Sequence, residues 1–250
     1  MIQFENVTKS FGNRPILRGV NLTIEKGKTT VIFGVSGGGK STIIKHMVGL
    51  LKPDRGIIRY QGRRIDNINE QELREIRKKI GFLFQSGALF DSMNIGENVA
   101  FPMREHQKLT PKELNRKIDE KLTMVGLEPS VVRSLYPEEL SGGMRKRVGL
   151  ARTLALEPEV ILYDEPTSGL DPVTSDFITQ MICRLRDEMG MTSVLISHDI
   201  AESFKAGDHY AMLFEGVIVA TGDKAAFQAS PNEVVQQFIH ARSVGPIAFH

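Results

Sequence analysis

The chain has 250 residues, 41% of them hydrophobic, enough for one sizeable core carried as one domain or as two closely packed subdomains. Its 32 basic and 30 acidic residues leave a net charge of +2, a balance that argues against a dedicated nucleic-acid binder, which carries a basic face and a larger excess. A single cysteine, Cys183, excludes an intramolecular disulfide and fits a reducing compartment.

The opening residues, MIQFENVTKSFGN, have neither the basic region nor the apolar region of a secretory signal. No apolar run approaches the ~20 residues needed to cross a bilayer, so the sequence predicts a soluble protein that would serve a membrane through a partner. Strand-like and helical runs alternate, the pattern of an α/β fold, with no repeat or low-complexity tract. IQFENV and GVNLTI alternate apolar and polar residues, as half-exposed strands do. TTVIFGV, KIGFLF, EVILYD and TSVLIS are continuous apolar runs with β-branched residues, which predicts strands covered on both faces in a parallel sheet.

After TTVIF comes GVSGGGKST, Gly34 to Thr42, which matches G-x-x-x-x-G-K-[ST], and then the helical run STIIKHMVGL. This is the strand–loop–helix context that a phosphate-binding loop requires. Glycines such as Gly34, Gly37, Gly38 and Gly39 remove the Cβ atoms that would keep backbone N–H groups, with those of Ser36 and its neighbours, from turning toward one anion. The helix N-terminus adds partial positive charge. On this reading Lys40 contacts the β- and γ-phosphates of ATP, Ser41 ligates Mg²⁺ and Thr42 supports the α- and β-phosphates.

KIGFLF runs into Gln85, and from about Asn94 to Leu156 the signals turn mainly helical, so a helical insert is predicted to interrupt the α/β core. Within it TPKE, Thr110 to Glu113, is a capping box with Pro111 at the first helical position, and the helix it opens should stop at Gly126. LSGGMRKR, Leu140 to Arg147, joins two glycines to three basic residues. By itself it reads equally as a loop tip, a nucleic-acid patch or a phosphate-receiving surface, and a charge run is usually a solvated helix face.

VILYDEP closes an apolar strand with two carboxylates, and ligand sites in parallel sheets lie at the carboxyl ends of strands. Asp164 is placed to hold Mg²⁺, and Glu165 to act as base or water-positioner for attack on the γ-phosphate. Asp171 is an expected N-cap, with Pro172 opening the helix that follows. TSVLIS runs into His198, and no second His or Cys sits at zinc-ligand spacing. AMLF-EG-VIVA reads as a hairpin turning at Glu215-Gly216, followed by a helix in PNEVVQQFIHAR and the tail SVGPIAFH. In that tail Ile247, Ala248 and Phe249 could pack on a second subunit or a partner, or fray.

The phosphate loop, Gln85, LSGGM, VILYDEPTSGLD and His198 follow one another in the order and approximate spacing of an ABC-type ATPase, and the resemblance runs from Ile2 to about Gly222. It implies a P-loop NTPase with a RecA-like core sheet, an antiparallel β-subdomain and an inserted helical subdomain. On that scheme all of 1–250 is one ABC ATPase domain. About 1–90 and 157–222 form the core and β-subdomain, about 91–156 the helical signalling subdomain, and 223–250 a C-terminal helix and tail.

In similar cassettes two copies dimerise head-to-tail, with ATP between the phosphate loop of one and the LSGG segment of the other. The resemblance therefore implies that Ser141 caps a helix aimed at the partner's γ-phosphate, with Gly142 and Gly143 allowing close backbone approach. It gives Asp171 a place beside the nucleotide, makes His198 a switch histidine on the γ-phosphate, and has Gln85 contact both Mg²⁺ and the lytic water. Phe11 stands where a ring stacks on adenine, with a core phenylalanine as the competing reading. Arg145, Lys146 and Arg147 are expected to form a structural or solvated face, and Met144 stands where many relatives have Gln.

The segment GALFDSMNIGENVAFPMREH, with LSGGM and RKRVGLAR, resembles the ATPases of Mla/Mce-type phospholipid transporters. The expected partners are then a second copy, a permease dimer, an MCE lipid-binding subunit and a small STAS-domain protein, at the cytoplasmic face of a bacterial inner membrane. The expected role is upkeep of outer-membrane lipid asymmetry. The alternative is an importer of amino acids or another small solute, whose ATP site would be the same. A soluble ABC protein and a binding-only relative are the remaining readings; Lys40, Asp164, Glu165 and His198 together argue against the last.

Overall fold

The structure, a computed structural model, describes residues 1–248; Phe249 of the apolar tail lies outside them. Two sheets are stacked. The first is antiparallel, built from β1 (Ile2–Phe11), β2 (Arg14–Ile24), β4 (Arg55–Tyr60) and the short β5 (Arg63–Arg64), in the order β2-β1-β4-β5. The second contains β3 (Thr29–Gly34), β6 (Ile80–Leu83), β7 (Val160–Asp164), β8 (Thr192–Ile196), β9 (His209–Phe214) and β10 (Val217–Gly222), ordered β10-β9-β3-β8-β7-β6. All its neighbours pair in parallel except the terminal hairpin β9–β10.

The four continuous apolar runs are the strands β3, β6, β7 and β8, and alternate residues of this sheet enter two different cores. Val31, Phe33, Ile161, Tyr163 and Leu195 face a core shared with the helices. Ile32, Val160, Leu162, Val194 and Ile196 face the antiparallel sheet. Burial on both faces is why these strands show no alternation in the sequence. β1 and β2 do alternate, since only one face of each is covered: Val20, Leu22 and Ile24 are buried, and so are Ile2 and Phe4. The alternation of β1 breaks at Asn6, a bulge in left-handed conformation (φ 50°) whose carbonyl is approached so closely by Gly56 that a Cβ there would lie 2.5 Å away. β9 and β10 turn at Glu215 (φ 47°) and Gly216 (φ 81°), the paired positive φ of a tight hairpin.

The helices are α1 (Lys40–Met47), α2 (Glu70–Arg77), α3 (Ile95–His106), α4 (Pro111–Met124), α5 (Pro129–Val132), α6 (Gly142–Thr153), α7 (Pro172–Met189), α8 (Ile200–Ala206), α9 (Lys224–Gln228) and α10 (Glu233–Ile239). Helices and short helical turns fill 95–156, as the sequence predicts. The Thr110–Glu113 capping box is formed around Pro111, and α4 gives out just before Gly126, which is left-handed. The helices α2, α8 and α9 and the strand pair β4–β5 were not read from the sequence. One of them, α2, carries its own capping box, Asn69 with Glu72. The C-terminal helical run is shorter than PNEVVQQFIHAR. Its tail folds back on the same chain: the Gln237 amide accepts from the Ile247 N–H (2.7 Å) and donates to its carbonyl (3.1 Å).

A buried asparagine fixes the segment between Gln85 and the helices. Asn98 on α3 is fully buried; its Oδ1 accepts from the Phe90 N–H (2.8 Å), and its Nδ2 donates to the carbonyls of Phe90, Met93 and Asn94 at 3.0–3.1 Å. Around it Val99 and Met103 are core residues, whereas Phe90 stays 40% exposed against Phe101. Asn98→Ala strips this loop of its polar anchor and leaves part-buried peptide groups without partners. A loss of roughly 2–3 kcal/mol in urea unfolding is expected, with faster amide exchange at 90–94.

Candidate nucleotide site

The carboxyl ends of β3, β6, β7 and β8 open on one cleft of about 430 Å³. Among the residues singled out in the sequence, Phe11, Ser36, Gly37, Gly39, Lys40, Ser41, Thr42, Gln85, Asp164, Glu165 and His198 all line it, together with Ile16 and Ile196. Gly34 and Gly38 do not line it but shape it from behind. A Cβ on Gly34 would lie 2.5 Å from the Leu213 carbonyl, and the Gly38 N–H closes the loop onto the Val35 carbonyl at 3.1 Å.

The loop delivers an uncapped helix. Gly39 occupies the N-cap of α1 with φ 104°, and no side chain accepts from the first turn. A side chain at Gly39 would also meet Ile16 Cγ2 at 2.9 Å. The first N–H groups of α1 are thus left for an anion. Lys40 is buried, with its ammonium donating to the carbonyls of Gly34 (2.6 Å) and Val35 (3.0 Å). Burial lowers its pKa, against the pull of the Glu165 and Asp164 carboxylates. Two of its three protons are committed to the loop and one remains for a phosphate oxygen.

Across from it Asp164 closes β7. Burial and then the neighbouring Glu165 raise its pKa, with Lys40 and a hydrogen bond from Ser41 acting in the opposite direction. Glu165 itself sits in the left-handed region (φ 54°), uncommon for a non-glycine residue, held by its N–H to the Ile196 carbonyl at 2.9 Å. Its side chain is 15% exposed, and Oε2 lies 2.7 Å from His198 Nδ1 while making no aligned hydrogen bond. Gln85 reaches the same loop by donating to Ser168 Oγ at 3.3 Å. Two adjacent carboxyls, one with its pKa raised by burial and the other with an oxygen that makes no aligned hydrogen bond, fit a divalent cation. The hydroxyl, carboxyl and amide oxygens of Ser41, Asp164 and Gln85 suit Mg²⁺.

Phe11 is 50% exposed at the mouth of the cleft, with the Lys9 ammonium 5.8 Å from its ring, so the core reading of this residue is excluded. Ser141, Gly142, Gly143 and Asp171 do not line the cleft. Ser141 caps α6 by accepting from the Met144 N–H (3.3 Å). Asp171 caps α7, accepting from the N–H groups of Val173 and Thr174 at 3.0 Å and from the Thr174 hydroxyl, which together lower its pKa. The basic run divides. Arg145 is exposed, Arg147 stacks over Phe177 and donates to the Gly126 carbonyl, and Lys146 is buried. Of the expected structural or solvated face, Arg145 is the solvated part and Lys146 the structural part, a division that a run of like charges in sequence gave no means of drawing.

The family model for "ABC transporter" matches residues 17–168, and the chain belongs to that family. It is 41% identical over 249 residues to the intermembrane phospholipid transport system ATP-binding protein MlaF of Escherichia coli, covering all of this chain and 92% of that one. It is 39% identical to the MlaF of Haemophilus influenzae, covering 94% of that protein. A probable ribonucleotide transport ATP-binding protein of Mycobacterium tuberculosis is 44% identical over 246 residues, covering 98% of this chain and 68% of that one. Among solved structures, a dimeric ATP-binding cassette in a post-hydrolysis state with ADP and Pi superposes with TM-score 0.82 at 34% identity, covering 89% of this chain and 98% of that one. Among the described residues no helix is long and apolar enough to cross a membrane.

The raised pKa of Asp164 yields a thermal test. Its ionised form is the costly one, so the penalty is full above its folded pKa and vanishes below the ordinary carboxylate range near about 3.9. Asp164→Asn is expected to raise the nucleotide-free Tm by a few degrees near neutral pH, and the gap to wild type should close as the pH falls to about 3.9. Calorimetry across pH checks this; an unchanged or lower Tm near neutrality would remove the electrostatic account.

Proposed function

We propose that this chain is the ATP-hydrolysing subunit of a phospholipid transporter, working as a head-to-tail dimer on a membrane permease at the cytoplasmic face of the inner membrane. The observation that carries the reading is the single cleft uniting Lys40, Ser41, Asp164, Glu165 and His198 behind an uncapped helix N-terminus. The lipid assignment is supported by similarity that spans the full chain and 92% of the E. coli MlaF protein, against 68% of the mycobacterial relative. A STAS-domain protein and an MCE lipid-binding subunit are the proposed further partners. The helical stretch 91–156 is the proposed signalling unit between nucleotide and permease.

On this reading adenine stacks on Phe11, an aromatic contact worth about 0.5–1.5 kcal/mol beyond burial. The N–H groups of 36–42 and the third proton of Lys40 receive the phosphates. Mg²⁺, held by Ser41, Asp164 and Gln85, would neutralise charge on the β- and γ-oxygens. Glu165 takes a proton from the attacking water as its oxygen bonds to the γ-phosphorus; the bond to the β–γ bridging oxygen breaks, leaving ADP and phosphate. His198, 2.7 Å from Glu165, orients that carboxylate and reaches the γ-phosphate. Ser141, Gly142, Gly143 and Asp171, which do not line their own cleft, complete the partner's site. The sandwich explains why these four lie outside the cleft that the other motif residues build.

The lipid reading is tested by purifying the tagged chain from native membranes in mild detergent. A permease with phospholipid, an MCE protein and a STAS protein is expected. A permease with a solute-binding protein and no enriched lipid would transfer the assignment to a solute importer, a second reading favoured by the mycobacterial relative's name. Recovery only from the soluble fraction would end the transporter reading. For the chemistry, Glu165→Gln should bind ATP, turn over about 10²-fold more slowly and accumulate as dimer, as shown by turnover assays and light scattering. Near-normal turnover would refute Glu165 as the base.

A further inference from the structure

Lys146 lies on α6, less than two turns after Ser141. It is 5% exposed, and its ammonium donates to the Ser168 carbonyl at 2.6 Å and the Glu165 carbonyl at 3.3 Å. Among the described residues it has no carboxylate within ion-pair distance. A buried lysine without such a partner is costly, and an apolar side chain would fill the same volume at lower cost. Burial does lower its pKa, opposed by the charge on Glu165. What the ammonium holds is specific: the backbone of the residue with the left-handed φ, and the loop whose Ser168 hydroxyl accepts from Gln85. Ser168 N–H in turn donates back to the Glu165 carbonyl at 3.2 Å, so the loop 165–168 is a closed turn clamped from one side by α6.

The other end of that helix is equally constrained. A Cβ at Gly143 would lie 2.5 Å from Thr174 Cγ2, so the first turn of α6 is packed hard against the start of α7. Further along, Arg152 donates to the Gly87 carbonyl at 3.0 Å, just past Gln85. One rigid helix therefore presents Ser141 outward and grips the loops of its own cleft from behind.

We propose that Lys146 is a positioning residue that couples the two ATP sites of the dimer, linking the helix that completes the partner's site to the backbone of Glu165 in its own. The inference rests on the head-to-tail dimer reading. ATP bound by the partner pulls on the Ser141 end; the two hydrogen bonds from Lys146 carry that displacement to Glu165 and Ser168, and so to Gln85. Each site then reaches its hydrolytic geometry only when the other is filled.

The test uses the full-length chain with Mg²⁺-ATP and the variants Lys146→Met, which keeps volume and removes the donors, and Lys146→Arg, which restores two. Turnover against ATP concentration, ATP affinity below the dimerisation threshold, ATP-driven dimerisation and Tm are read for each. For Lys146→Met, kcat is expected to fall about 10- to 100-fold, as for a misplaced reacting group. The Hill coefficient is expected to drop from a value above 1 to about 1. ATP affinity stays at the wild-type value, Tm does not fall, and Lys146→Arg recovers cooperativity. Retained cooperativity in Lys146→Met would overturn the proposal. So would a joint loss of Tm and ATP affinity, which marks fold support alone, or an Arg variant that folds yet stays uncooperative. Absence of ATP-driven dimerisation in the wild type would instead overturn the dimer reading. Fast turnover by Glu165→Gln would overturn only the base assignment, because cooperativity is read separately.

Discussion

The parallel pairing of β3 with β8, β8 with β7 and β7 with β6 is the constraint on which everything functional depends. Parallel strands end on the same edge, so four segments distant in sequence release their next residues into one cleft. From β3 comes the loop that ends in Lys40; from β6, Gln85; from β7, Asp164 and Glu165; from β8, His198. The register is fixed by burial on both faces, since a slip of one residue would exchange the side chains of the two cores. The antiparallel sheet contributes by covering one face and by carrying Phe11 to the cleft mouth at the end of β1.

Within the cleft, burial works against charge. The ammonium of Lys40 and the carboxyl of Asp164 each have a pKa moved toward the neutral form, and Glu165 stands next to Asp164 with one oxygen unpartnered. Such an arrangement is unfavourable by itself and, on the proposed reading, becomes complementary when phosphates and a divalent cation enter. The left-handed backbone at Glu165 belongs to the same economy of strain. It turns the carboxylate toward His198 and is held there by the Ile196 carbonyl on one side and by the α6 lysine on the other.

Helix α6 ties together parts of the chain that lie far apart in sequence. Its first turn is capped by Ser141 and pressed on Thr174; its middle holds the 165–168 loop; its end holds Gly87. The segment after Gly87 is in turn pinned to α3 by Asn98. The 165–168 loop, α6 and the helical insert are thereby joined through backbone carbonyls rather than through exposed side-chain pairs, which are weak and easily screened.

The amino-acid sequence by itself determined the local features: the continuous apolar strands, the phosphate loop between a strand and a helix, the capping box at Thr110, the cap at Asp171 and the hairpin at Glu215-Gly216. Each depends on residues within a few positions of one another, where propensity and hydrogen-bond reach decide the outcome. The strands Arg55–Tyr60 and Arg63–Arg64 escaped notice because they are short and Arg-rich, and the pairing of the first with β1 is a long-range choice. Only the tertiary structure decided that Phe11 is exposed, that Lys146 is buried while Arg145 beside it is solvated, that Asn98 anchors a loop, and that the tail closes on Gln237. Those outcomes turn on which face of an element meets another element. A run of three charges or a lone amide carries no record of that until the packing is formed.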